Sequence, residues 1–180
     1  MEFHRRRLPH LQVIGEPVFV TWRLYGSLPD GRYFPPDLAG GAAFVALDRL
    51  LDNARTGPIY LKRAEIASMV VKALRYHAGV LGQYQLHQYV VMANHVHVLI
   101  TPGVPLAKVM QSLKRFTARE ANLMLGLTGQ RFWQDESYDR FVRNNDEFHR
   151  IARYIEMNPV RAGLVATPDQ FPWSSAAGAD

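Results

Sequence analysis

Two pairs of side chains in this sequence are best suited to chemistry. They are His95 and His97, and Tyr154 with Asn158. In a strand, residues two apart share a face, so His95 and His97 point one way while Val96 and Val98 point the other. Two imidazoles one strand pitch apart can hold a single metal ion. In a helix, residues four apart are neighbours, which places Tyr154 beside Asn158. A phenol, with a pKa of about 10, is a poor nucleophile until a nearby ion activates it. The Asn158 amide oxygen is a hard, neutral ligand that suits Mg²⁺ or Mn²⁺. An ion held by two imidazoles and an amide keeps its full charge, which is useful for polarising a phosphate oxygen. No carboxylate follows the histidines closely, so a third ligand must come from elsewhere in the chain. Spacing alone also fits plainer readings: a polar sheet face with two histidines, and a structural tyrosine before a helix-ending Asn-Pro.

The elements that must position these groups follow from periodicity. Residues 17–25 (PVFVTWRLY) are rich in β-branched and aromatic types and read as a strand. A loop rich in glycine and proline follows to Gly41. Residues 42–55 carry apolar positions at Phe44, Leu47, Leu50 and Leu51, and 63–77 at Ile66, Met69, Val70, Ala73 and Leu74, so both read as helices. Residues 84–92 and 95–101 form a hairpin across Ala93-Asn94. A helix over 105–125 begins with proline, a strand is expected over 138–143, and a last helix over 145–157 stops at Asn158-Pro159. This order predicts an α+β fold with a ferredoxin-like βαββαβ core, an antiparallel sheet with helices packed mainly on one face. The expected organisation is a basic arm over 1–16, a single domain over 17–175 and a tail over 176–180.

The 180 residues are enough for one domain with a real core, and the net charge of +5 favours polyanionic partners. With no cysteine, disulfides, thiolate metal sites and a cysteine nucleophile are excluded. The uncharged run from Tyr76 to Ala107 is broken by histidines, amides, proline and glycine, so no membrane span is expected. Nor is a signal peptide visible, because no apolar stretch follows Arg5, Arg6 and Arg7. The 105–125 helix has an apolar stripe through Leu106, Met110, Leu113, Thr117, Ala121 and Met124. Lys108, Ser112, Arg115, Arg119 and Asn122 lie opposite, a face able to follow a phosphate backbone or simply to meet solvent. Arg131, Arg140, Arg143 and Arg150 add positive charge; Phe132 and Trp133 suit stacking on bases or core packing.

The segments VVMANHVHVLI, MQSLKRFTAREAN, FWQDESYDRFVRN and YIEMNPVRAGLV occur in that order. Together they resemble the REP-associated tyrosine transposases, within the single-tyrosine HUH class of insertion-sequence (IS200-like) transposases. The resemblance spans about residues 17–175. It implies a metal site at His95 and His97 with Asn158 as third ligand, Mg²⁺ or Mn²⁺ as cofactor, and Tyr154 as nucleophile, with Tyr138 as runner-up. It also implies transesterification on single-stranded DNA beside hairpins, through a 5′-phosphotyrosine bond. Arg5, Arg6, Arg7, Lys108, Ser112, Arg115, Arg119, Arg131, Arg143 and Arg150 are the expected DNA contacts. A monomer or homodimer is expected, in the cytoplasm and on the nucleoid when bound. Two other readings stay open: a domesticated hairpin-binding protein without catalysis, and an unrelated metal hydrolase.

Overall fold

The computed structural model describes residues 14–28, 41–53 and 56–178, with side chains from Phe44 onward in the second segment. The arm carrying Arg5, Arg6 and Arg7 lies outside the described residues. Four strands form one antiparallel sheet: β1 (Val18–Leu24), β2 (Tyr84–Val91), β3 (His95–Pro102) and β4 (Trp133–Phe141). Their order is β2-β3-β1-β4, the split βαβ arrangement expected of a ferredoxin-like core. Four helices accompany them: α1 (Gly41–Asp52), α2 (Ala64–Gly79), α3 (Leu106–Leu125) and α4 (Asn145–Arg161).

Every residue of β1 is buried, and β3 is nearly so. Continuous burial in a strand means that both sheet faces are covered. The main helical layer is α2 and α3, whose Ile66, Val70, Leu74, Val109 and Leu113 pack with Val20, Trp22, Val96 and Val98. A thinner layer covers the other face, where Phe44 of α1 and Ile155 of α4 meet Phe19 and Leu99. The residues alternating with the main core are apolar at one end of that face (Phe19, Leu99). At the other end they are polar: Thr21, Arg23, His95 and His97, all buried.

Three elements differ from the sequence expectation. β4 begins at Trp133 rather than Tyr138, because Trp133 resumes pairing with Leu24 after a register shift. On α3, Asn122 is buried and donates to the Gln130 carbonyl, while Met124 is exposed. Of the two roles open to Phe132 and Trp133, core packing is the one observed: both are buried, and the Trp133 indole donates to Thr117. The largest difference is α4, which runs through Pro159 to Arg161. Proline disfavours a helical residue before it, but Asn158 is held by a buried side-chain bond to Asp48. The turn beyond closes through Ala162 N–H to the Asn158 carbonyl and Leu164 N–H to the Pro159 carbonyl. At its start, α4 is capped by Asn144, whose side chain accepts from the Glu147 N–H. No helix among the described residues is long and apolar enough to cross a membrane.

Candidate metal centre and nucleophile

Register places the centre. Thr21 of β1 pairs with His97 of β3, and Arg23 with His95. The Thr21 hydroxyl is 2.6 Å from His97 Nδ1. The hairpin turn supplies the matching partner for His95, whose Nδ1 lies 2.7 Å from Asn94 Oδ1. Asn94 Nδ2 donates to the Leu51 carbonyl at the end of α1, so its oxygen is the atom facing His95. That oxygen can only accept, so His95 Nδ1 is the donor and Nε2 is the ring atom left to face the cluster.

Both Nε2 atoms meet a side chain that the sequence reading missed. Asp48 Oδ1 is 3.0 Å from His97 Nε2 and 3.1 Å from His95 Nε2. Its other oxygen, Oδ2, accepts from the Tyr154 hydroxyl and from Asn158 Nδ2 at 2.9 Å. Asp48 is buried on the inward stripe of α1 with Phe44, Leu47 and Leu51, whereas Leu50 is exposed. The legible signal was an acid at a helical spacing reserved for apolar residues. Burial alone raises a carboxyl pKa, but here His97 and His95 outweigh it and hold Asp48 well below the usual carboxylate range. Burial pushes the neighbouring Asp52 carboxyl up to about 6, with His95 pulling the other way. Burial also raises the Tyr154 phenol, and the Asp48 carboxylate raises it further, so the resting tyrosine is neutral.

These residues fit a divalent cation. His95 Nε2 and Asn158 Oδ1 are buried without a hydrogen-bond partner. Asp48, His95 and His97 each offer a ligand atom, all within 4.8 Å of one another. A cation among these atoms would satisfy His95 Nε2 and Asn158 Oδ1 together. Asp48 also alters the expected charge: a carboxylate among the ligands leaves a bound Mg²⁺ or Mn²⁺ with a net charge of +1. Thr21→Val removes the hydroxyl that orients His97. It should weaken Mn²⁺ binding about tenfold in an electron paramagnetic resonance titration, the usual loss on deleting such a partner.

A second residue missed by the sequence reading is Arg161. Its guanidinium lies 3.9 Å from the Tyr154 ring centroid and donates to the Tyr154 carbonyl at 2.7 Å. It reaches back only because α4 continues past Pro159. The other basic residues divide between the two sheet faces. Arg150 is exposed one turn before Tyr154, on the side of the cluster. Lys108, Ser112, Arg115 and Arg119 ride on α3, on the opposite side of the sheet. Arg115 and Arg131 line a cavity of about 480 Å³ between α3 and the start of β4. Arg143 is exposed near the start of α4. Tyr138 stacks on Phe44, its ring 4.7 Å away.

The sequence model of the IS200-like transposases matches residues 65–158, just over half of the chain and inclusive of His95, His97, Tyr154 and Asn158. The chain belongs to the IS200-like transposase family. Asp48 lies outside the matched segment, so the carboxylate of this transposase comes from a helix that the family model does not reach. Among solved structures, the transposase resembles a REP-associated tyrosine transposase bound to a REP hairpin. The two are 17% identical, with a TM-score of 0.58 over 97% of this chain and 82% of that one, which shows a shared fold. A Deinococcus radiodurans R1 protein described as a transposase is also 17% identical, with a TM-score of 0.47 over 88% of this chain and 98% of that one. Among curated proteins none matches the transposase.

Proposed function

We propose that this transposase cuts and rejoins single-stranded DNA beside a hairpin, through a covalent 5′-phosphotyrosine bond to Tyr154. The observation that carries this reading is the convergence on Asp48 of Tyr154, Asn158, His95 and His97, all from one chain. A monomer therefore contains a full set of reacting groups. The hairpin partner is suggested by the REP hairpin bound to the protein of similar fold.

The phenol oxygen of Tyr154 attacks the phosphorus, and its proton passes to Asp48 Oδ2, the atom it already faces. The bond from phosphorus to the 3′ oxygen breaks, and that oxygen takes up a proton from solvent to leave as a 3′-OH. Attack by a 3′-OH on the phosphotyrosine reverses these steps and rejoins DNA without an outside energy source. His95, His97, Asp48 Oδ1 and Asn158 Oδ1 would hold a Mg²⁺ or Mn²⁺ ion, which when bound polarises the scissile phosphate. Arg161, beside the Tyr154 ring, supplies positive charge for the aryl phosphate that forms.

The test is to incubate the protein with a hairpin-bearing single strand and Mn²⁺, then denature and digest it. Mass spectrometry should find the nucleotide on the peptide that contains Tyr154. A modified Tyr138 peptide would overturn the assignment. Salt-sensitive hairpin binding with no adduct under either ion would instead favour a DNA-binding protein without catalysis.

A further inference from the structure

Beside the nucleophile lies a cavity of about 310 Å³ that the proposed chemistry does not use. We propose that it receives an unpaired nucleobase, from one of the two nucleotides that share the phosphate attacked by Tyr154. This inference rests on the DNA-transferase reading above.

Three features support it. The first is position: Tyr154 lines the cavity, so the cavity adjoins the residue that the proposed chemistry uses. The second is the lining. Phe19, Phe44 and Tyr138 give it an aromatic side, and flat apolar walls suit any base because every base has a π face. The third is a charged pair set among these rings. Arg140 donates to Glu147, which is buried, and Glu147 also accepts from the Arg143 N–H at 2.8 Å. Burial raises the Glu147 carboxyl, but the Arg143 N–H and Arg140 more than offset it and keep it ionised. The pair thus presents a fixed guanidinium and a fixed carboxylate, the donor and acceptor types that read a base edge.

A volume of this size lies at the lower end of small-ligand sites, and suits one base better than a helix or peptide. Its lining also argues against a mere packing defect, since apolar voids in cores stay dry and carry no ion pair. Arg150, exposed at the lining, provides a cation for the adjoining backbone phosphate.

The test measures binding and so does not depend on cleavage. Dissociation constants are determined by fluorescence anisotropy for hairpin strands with an abasic site at each position of the single-stranded arm. Wild-type protein should bind roughly tenfold more weakly when one particular base is missing. Val45→Trp fills the cavity from α1 and should bind the intact strand about as weakly as wild type binds that abasic strand, with no further loss on the abasic one. Ile151→Trp fills it from α4 and guards against misfolding of the first variant. Should both variants keep the full wild-type preference for the intact base, or no arm position matter while the strand still binds, the pocket is refuted. An adduct formed without any position-specific loss leaves the transferase reading standing and removes only the pocket. A position-specific loss without any adduct leaves a base-binding pocket standing but removes the transferase reading and with it the link to a cleaved phosphate. Absence of all DNA binding removes both.

Discussion

Tyr154→Phe should abolish the covalent DNA adduct while leaving the protein folded and able to bind the hairpin strand. Only the hydroxyl is lost. The ring keeps its neighbours: Phe44 and His97, each 5.9 Å away between centroids, and the Arg161 guanidinium at 3.9 Å. Asp48 Oδ2 keeps its bond from Asn158 Nδ2 at 2.9 Å, so the buried carboxylate is not stranded. Denaturant midpoints should therefore differ little. Activity should fall below detection, in line with a loss of roughly 10⁶-fold when an attacking side chain is deleted in a well-studied protease. A denaturing gel checks it: an adduct that persists in the variant excludes Tyr154 as the nucleophile.

Asp48→Ala should cost more than one function at once. It removes a proposed ion ligand, the acceptor for the phenol proton and the group that orients Asn158. Mn²⁺ affinity measured by calorimetry should drop by about 100-fold or more, since loss of a mere supporting partner already costs 10–100-fold. The adduct rate at saturating ion should fall as well, because the phenol proton has lost its acceptor. Hairpin affinity should change little, which separates this result from simple unfolding. An Asp48→Ala protein with wild-type ion affinity would exclude the carboxylate as a ligand.

How the site can be read from the sequence follows the range of the interactions. His95 and His97 share a face because of strand alternation, and Tyr154 neighbours Asn158 because of helical spacing; both relations are local. The sheet order follows from element order and short connections, so it was legible too. Asp48 was not, because its role depends on how α1 docks, and its partners, from His95 to Asn158, all lie far along the chain. The apolar stripe around it gave a hint, since Asp48 lies one turn after Phe44 on the inward side, while Leu50, expected to face inward, is exposed. The end of α4 misled for a related reason. The local preference of Asn-Pro argues for a stop, and a buried tertiary bond to Asp48 overrides it. Likewise β4 starts early because pairing with β1, not its own composition, decides where it begins.

The distances along the chain that hide Asp48 from a local reading also set when the centre can exist. Tyr154 joins its acceptor across 106 residues, and it leaves the ribosome after the strands and helices that frame it. Contacts of such long range form late, since the chain must first bear the entropy of closing the loop. The growing chain can expose its basic helix to nucleic acid long before its phenol, carboxylate and histidines meet. Until α4 is made, the cluster on Asp48 lacks its phenol, so any chemistry that needs the assembled set must wait for nearly the whole domain.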